Sequence, residues 1–264
     1  MSFLNRENAP FGDDLWSEIE AEALDILQAK LTAREAVDVE SARGLELAAV
    51  NTGRKHDADN TGSASFAVRE ALPVVELEVP FTIDRSELKT LMRGGDVADL
   101  DPIADAAEEL ASAENQALFY GLEKADVEGV ISSAEQPAID VEDNLENFAA
   151  LITSGITSLQ QDGVTGPYSL VVDPGFYNSL QCAYTRGYPL ERRLKSMLNG
   201  EIILNSDLEE NGVLVSRRGE DFKFIPGQKL SIGYRSHSEE EVNLFFFESF
   251  AVQIDGPEAA VPLS

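Results

Sequence analysis

The segment from residue 50 to residue 83 constrains the fold of this chain most. It opens with a polar, glycine-containing stretch and ends in a run that alternates between apolar and polar side chains. The apolar positions are Val75, Leu77, Val79, Phe81 and Ile83. Period-two alternation predicts a strand with one buried face. A long polar excursion before such a strand indicates a projecting hairpin whose unpaired edges need a neighbour; a disordered surface loop is the alternative.

Three segments have the apolar spacing of amphipathic helices. The first covers residues 13–33, with Asp13 as the expected N-cap and an apolar stripe at Trp16, Ile19, Ala23, Ile26, Leu27 and Leu31. That stripe packs against the core alone, or against both the core and a bound guest molecule. The second covers residues 99–125, where only Glu114 interrupts the apolar face, and the third covers residues 142–161, with Gly163 at its C-terminal end.

The second half of the chain predicts short alternating elements. Strands are expected at 168–172, 201–204 and 212–216, helices at 176–183 and 190–198, and a turn at 185–189. A long strand is expected at 241–254, where apolar residues on both faces indicate that its first half is covered on both sides. The mixture of long helices and strands places the chain in the α+β class.

Acidic residues dominate the charge. The chain of 264 residues has 48 Asp and Glu against 20 Lys and Arg, a formal net charge of −28. Such a charge repels phosphate backbones and anionic lipid, so nucleic acids and membranes are not expected partners. An acid excess also suits a salty cytoplasm, and a cation-handling role is the alternative. The first residues lack a signal-peptide core, and no apolar run approaches the length of a membrane span. We therefore expect a cytoplasmic protein.

The residues that most enzymes need are scarce. There are two histidines, His56 and His237, and one cysteine, Cys182, and none lies in a nucleotide-binding, metalloprotease or hydrolase motif. Both histidines fall in polar segments that predict exposed loops. Adjacent carboxylates such as Glu108 and Glu109 are expected by chance in so acidic a chain. The sequence predicts no catalytic residue, no metal site, no cofactor and no enzymatic activity.

Several short strings, in order along the chain, resemble the encapsulin shell proteins, a family also described as linocin-type bacteriocins. They include Phe3-Leu-x-Arg6, Trp16-x-x-Ile19 and Arg34-x-x-Val37-Asp38-Val39 near the start. Further strings are Pro80-Phe81-Thr82, Gly166-Pro167-Tyr168, Gly187-Tyr188-Pro189-Leu190, Arg218-Gly219-x-Asp221 and Leu230-Ser231-Ile232-Gly233-Tyr234. The likeness runs nearly end to end.

This resemblance implies the Hong Kong 97 phage type of major capsid fold, with a peripheral domain, an extended loop and an axial domain. The implied boundaries are an N-terminal arm and lumen-facing helix at 1–49, the extended loop at 50–83, the peripheral spine helix at 84–133, the axial domain at 134–222, peripheral return strands at 223–251 and a C-terminal segment at 252–264. The chain would assemble with itself into an icosahedral shell. The enclosed cargo would be a ferritin-like protein or a dye-decolorising peroxidase, with an iron-storage or oxidative-stress role.

The resemblance also implies two functional sites. A groove for the C-terminal targeting peptide of the cargo would be formed by Ile26, Leu27, Leu31, Arg34, Asp38, Leu230, Ile232 and Tyr234. A fivefold pore would be lined by Cys182, Ala183, Tyr184, Thr185, Arg186, Gly187 and Tyr188. Lys229 stands where relatives often carry an acid, which changes the charge beside the groove.

Two other functions remain open at this stage. A virus or prophage major capsid protein would have the same fold, but such proteins commonly carry a long scaffolding segment and enclose DNA, which an acidic inner surface disfavours. A hydrolase or protease is the alternative from another class, and the missing nucleophile and base argue against it.

Overall fold

The computed structural model describes residues 3–61, 63–95, 98–141, 147–185, 187–209 and 211–264. The helices of this part of the chain are α1 (Asp13–Lys30), α2 (Arg85–Met92), α3 (Asp101–Tyr120), α4 (Phe148–Gln161), α5 (Pro174–Cys182) and α6 (Leu190–Leu198). The strands are β1 (Asp38–Val39), β2 (Ala49–Thr61), β3 (Ala64–Pro73), β4 (Val75–Asp84), β5 (Tyr168–Val172), β6 (Tyr184–Thr185), β7 (Tyr188–Pro189), β8 (Ile202–Leu204), β9 (Gly212–Ser216), β10 (Phe222–Pro226), β11 (Ser231–His237), β12 (Glu241–Ile254) and β13 (Ala260–Leu263).

The first sheet is built around β12. One side of β12 pairs with β4, while β11 and β10 follow one another along its other side, and β1 lies beyond β10. The prediction of a strand at 241–254 is confirmed with the same bounds, and burial on both faces extends past its first half as far as Val252. The alternation predicted for β4 is confirmed too, since Val79, Phe81 and Ile83 are buried and their neighbours are exposed.

Helices α1 and α3 cover one face of this sheet. Their apolar residues, with those of β4, β11 and β12, form one core cluster that includes Trp16, Ile19, Leu110 and Phe246. Both predicted helices are confirmed but end earlier than expected. Helix α1 stops at Lys30, before a 3₁₀ turn over Thr32–Ala36, and its N-cap is Gly12 rather than Asp13.

Helix α3 stops at Tyr120 because Gly121 follows with a φ of +77°. A Cβ at that position would lie 2.2 Å from the carbonyl oxygen of Val127. The chain therefore turns sharply where the sequence analysis extended the helix to residue 125, and residues 123–125 form a 3₁₀ turn instead.

The second sheet has the strand order β13-β9-β5-β8 and lies next to α4, α5 and α6. Its strands are almost fully buried, and the cluster they form with these helices also includes Phe224 and Phe250 of the first sheet. The helix predicted at 142–161 is observed from Phe148 onward, and residues 142–146 lie outside the described part. Strand β13 shows that the C-terminal residues complete this sheet.

Strands β2 and β3 form the predicted hairpin. Nearly all its residues are exposed, including the large apolar side chains of Phe66 and Val68. The hairpin is regular antiparallel structure with two register shifts, so the alternative of a disordered loop is wrong. No element in the described part of the chain covers Phe66 and Val68. The hairpin therefore presents an apolar surface that needs a partner.

The histidines were assigned to the wrong local structure. His56 lies within β2 and His237 ends β11, where its Nδ1 is 2.5 Å from the hydroxyl of Tyr234. The polar neighbours of both residues predict loops, but an exposed hairpin is polar as well.

Among the described helices, none has the length and apolar character needed to cross a bilayer.

Candidate functional site

An apolar groove of about 740 Å³ lies between α1 and the first sheet. The end of α1 supplies Leu24, Leu27 and Gln28, and the chain that follows supplies Leu31 and Arg34. The opposite side and floor are formed by Val39, Glu40, Ser41, Ala42, Pro226, Lys229, Leu230, Ser231, Ile232, Phe246 and Glu248. The segment between β10, which ends at Pro226, and β11, which begins at Ser231, contributes Lys229 and Leu230 to this side of the groove.

The structure brings Leu27, Leu31, Arg34, Leu230 and Ile232 of the predicted peptide site together around this groove. The other three predicted residues are not among its lining residues. Ile26 packs against the core beneath α1. Tyr234 is buried, and its amide N–H donates to the carbonyl oxygen of Leu4.

Asp38 is the third residue outside the groove. Its Oδ2 accepts a hydrogen bond from the backbone N–H of Glu220 at 2.6 Å. This bond joins β1 to the turn before β10.

Two exposed apolar residues that the sequence analysis missed line the groove. Leu24 is 52% exposed and Val39 is 50% exposed, on opposite sides of the opening. Leu24 stands three residues before Leu27 and seven before Leu31, a spacing that could have added it to the apolar stripe. Exposed leucine and valine at the mouth of a concave apolar surface are typical of a site that receives an apolar partner.

The polar part of the groove floor is an ion cluster of Arg34, Glu114 and Glu248. Arg34 Nε donates to Glu114 Oε1 at 2.6 Å, and Arg34 Nη2 donates to Glu114 Oε2 and, at 2.9 Å, to Glu248 Oε2. The guanidinium carbon lies 4.7 Å from the centre of the Phe224 ring. Glu114 is 0% exposed and Glu248 is 2% exposed. Glu114, which interrupts the apolar face of α3, is thus the buried partner of Arg34 in an ion pair.

Burial raises the pKa of Glu248 well above its ordinary value, and the charge and hydrogen bond of Glu114 raise it further, against the opposing effect of Arg34. Burial acts to lower the pKa of Arg34, but its hydrogen bonds and charge interactions with the two glutamates outweigh this, so that pKa is raised and Arg34 stays cationic. One cation therefore faces two carboxyl groups that cannot both ionise without leaving a buried excess of negative charge.

The predicted pore segment lies at an exposed tip. Cys182 ends α5 and is exposed, and β6 and β7 form a short hairpin with exposed Tyr184 and Tyr188. Gly187 turns this hairpin with a φ of +81°, Ala183 is partly buried at its base, Thr185 lies in β6, and Arg186 is outside the described residues. In the described part of the chain no group of His, Cys, Asp or Glu is arranged to hold a metal ion.

Comparison with known proteins assigns the chain to a family. A family model described as "Encapsulating protein for peroxidase" matches residues 1–251. The Type 1 encapsulin shell protein of Rhodococcus erythropolis is 36% identical over 265 residues, which covers 100% of both chains. The chain belongs to the encapsulin shell-protein family. The shell protein of Rhodospirillum rubrum is 35% identical, over 100% of this chain and 96% of its own, and that of Mycobacterium tuberculosis is 33% identical, over 100% of both.

Solved structures confirm the fold of this encapsulin. A virus-like particle from Pyrococcus furiosus matches with a TM-score of 0.68 at 19% identity, over 96% of this chain and 100% of its own. The capsid protein of Myoviridae phage XM1 matches with a TM-score of 0.63 at 14% identity, over 88% of this chain and 91% of its own. The expected capsid fold is therefore confirmed, and the chain is a structural shell protein of a capsid-like compartment rather than an enzyme.

Proposed function

We propose that this shell protein assembles in the cytoplasm into an icosahedral compartment that encloses guest enzymes by binding their C-terminal targeting peptides. The guest would be a dye-decolorising peroxidase or a ferritin-like protein, with a role in oxidative stress or iron storage. The family description, which names a peroxidase, favours the first of these guests.

The observation that carries the proposal is the apolar groove with its exposed rim. Leu24, Leu27, Leu31, Leu230 and Ile232 surround a space that an extended segment of a few residues can enter. Each aliphatic side chain that such a segment buries fully would contribute roughly 1.5–3 kcal/mol. One groove per subunit, repeated over a closed shell, adds avidity for an oligomeric guest.

Two further surfaces support the shell part of the proposal. The β2–β3 hairpin exposes Phe66 and Val68 without a covering element in the described part of the chain, and a neighbouring subunit would cover them. The β6–β7 tip, with exposed Tyr184 and Tyr188, is a candidate for the pore lining where subunits meet around a symmetry axis.

The test replaces Leu24 by Glu. Leu24 is half exposed, so the substitution leaves the core intact while placing a charge at the groove mouth. We expect shells of normal size that hold less than about a tenth of the guest retained by the wild type, since desolvating the new carboxylate outweighs a few apolar contacts. The measurement is the guest-to-shell mass ratio of purified particles.

Met92→Glu is the matched control, because Met92 is also exposed and lies on α2, outside the groove lining. Its particles should keep the wild-type guest content. Equal guest content in the Leu24→Glu and wild-type shells would show that guests are held elsewhere.

A further inference from the structure

Glu114 and Glu248 share a single guanidinium at the groove floor. Arg34 approaches them from the turn after α1, Glu114 from α3 and Glu248 from β12. Two apolar side chains lie beside the cluster: Phe224 of β10 packs on Arg34, and Leu77 of β4 stands opposite Glu248. With both carboxyls ionised, the cluster would hold a net negative charge in a low-dielectric site.

Among the described residues, the other charged side chains around the groove make no ion pair with Glu114 or Glu248. Glu40 at the groove rim pairs with Arg43, and Lys30 near the end of α1 pairs with Glu108. Glu20 lies at the rim and accepts from Arg6, and Lys229 lies on the opposite side of the opening. Arg34 is thus the cation that both buried carboxyls contact among the described residues.

One carboxyl oxygen of the cluster has no hydrogen-bond partner. Glu248 Oε2 accepts from Arg34, while Glu248 Oε1 is shielded from solvent and has no partner among the described residues. A proton on Glu248 accounts for both the excess negative charge of the cluster and the unpartnered oxygen. It removes the excess negative charge, and it gives Glu248 an O–H that can donate to the carboxylate of Glu114, which is held by the same guanidinium.

We propose that Glu248, which shares the Arg34 guanidinium with Glu114, is a proton-binding site in the groove floor, and that guest docking is coupled to this proton. The coupling rests on the proposed function of the groove. Glu248 and Arg34 both line the groove, and 26% of the Arg34 side chain remains exposed. A guest that covers the groove removes this water, which penalises the ionised cluster more than the neutral one. The protonated groove therefore binds the guest more tightly.

The proton site is tested first without a guest. Infrared spectra of purified shells at neutral pH should show the carbonyl band of a buried protonated carboxyl group, which disappears only as the pH is raised. The band should be absent from Glu248→Gln. Glu78→Gln is the matched control, because Glu78 is an exposed glutamate on β4 opposite Phe247, and it should keep the band. The proposal is overturned if the wild-type protein shows no such band at any pH between neutral and the range in which ordinary glutamates titrate.

The coupling is tested with a fluorescein-labelled ten-residue peptide of Gly and Ser that carries one Leu and two Ile. Its affinity for wild-type shells should fall as the pH rises through the infrared midpoint, by at most about tenfold per pH unit, the limit for one linked proton. Glu248→Gln should bind the peptide with an affinity that no longer changes over that range, and Glu78→Gln should keep the wild-type pH dependence.

The outcomes separate the two proposals. Peptide binding that is independent of pH in the wild type overturns the coupling and leaves the groove as a guest site. Failure of the peptide to bind at every pH overturns the coupling together with the proposed groove, while the infrared titration still decides the proton site. Should Glu248→Gln fail to fold, the infrared titration of the wild type is compared with that of Glu114→Gln, which removes the charge beside Glu248 and should lower the pH at which the band disappears; an unchanged midpoint overturns the proposal.

Discussion

Arg34 is the residue on which the groove floor depends. Replacing it by Leu leaves Glu114 and Glu248 buried together without a cation, and removing one partner of a buried ion pair costs about 3–5 kcal/mol. We expect a marked fall in the midpoint of thermal unfolding. Arg43→Leu is the control: its pair with Glu40 is partly exposed and contributes at most about 1 kcal/mol. Equal midpoints for the two variants would contradict the structural importance of the cluster.

The raised pKa of Glu248 predicts how stability changes with pH. Between the ordinary glutamate pKa of 4.5 and the raised folded value, the folded protein binds more protons than the unfolded chain. Stability therefore falls as pH rises through this window and levels off above it. Thermal unfolding midpoints of the wild type and Glu248→Gln, measured over a pH series, should show a smaller alkaline loss in the variant. Parallel curves would contradict the assignment.

The β2–β3 hairpin is the element that most clearly needs a neighbour. Phe66 and Val68 are exposed on it, so replacing both by Ser leaves the subunit core intact and removes apolar area from the presumed contact. We expect unchanged far-ultraviolet circular dichroism and strongly reduced particle formation in size-exclusion chromatography. Ala67→Ser, in the same strand, should assemble normally. Full assembly of the double variant would show that the hairpin does not join subunits.

The long periodic elements and the short buried elements of the second sheet could be predicted from the sequence, whereas α2, β10 and β13 could not. The helices α1 and α3 and the strands β4 and β12 are each ten residues or longer, so their periodicity is plain. Strand β11 was recognised only as part of a motif, because Gly233 interrupts its pattern; a Cβ there would lie 2.3 Å from the Phe245 ring. The short elements α2, β10 and β13 carry too few residues to show a period.

The groove could be predicted only in part for a related reason. Its apolar residues on α1 follow helical spacing, but Val39 lies in a two-residue strand and has no periodic context. Glu248 stands among phenylalanines in a strand whose neighbours are apolar on both faces, and its partner Glu114 is 134 residues earlier (248 − 114 = 134). Only the packing of α3 against the sheet brings these two carboxyls to the same cation, Arg34.

At the scale of the whole molecule, we expect net charge to influence assembly. Each subunit has a formal net charge of −28, and many such subunits in one shell repel one another. Salt screens this repulsion over about 8–10 Å at physiological ionic strength. Light scattering during a titration from low to high ionic strength should show assembly that becomes more complete as salt increases. Equally complete assembly at both ends of the titration would contradict this prediction.

The most direct test of the account is negative-stain electron microscopy of the purified protein, with mass spectrometry of whatever co-purifies from its native host. Closed, hollow particles that contain a defined guest protein are the predicted result, and the identity of that guest would name the chemistry of the compartment. Small oligomers without a guest, in both low and high salt, would contradict the claim that this chain forms a compartment.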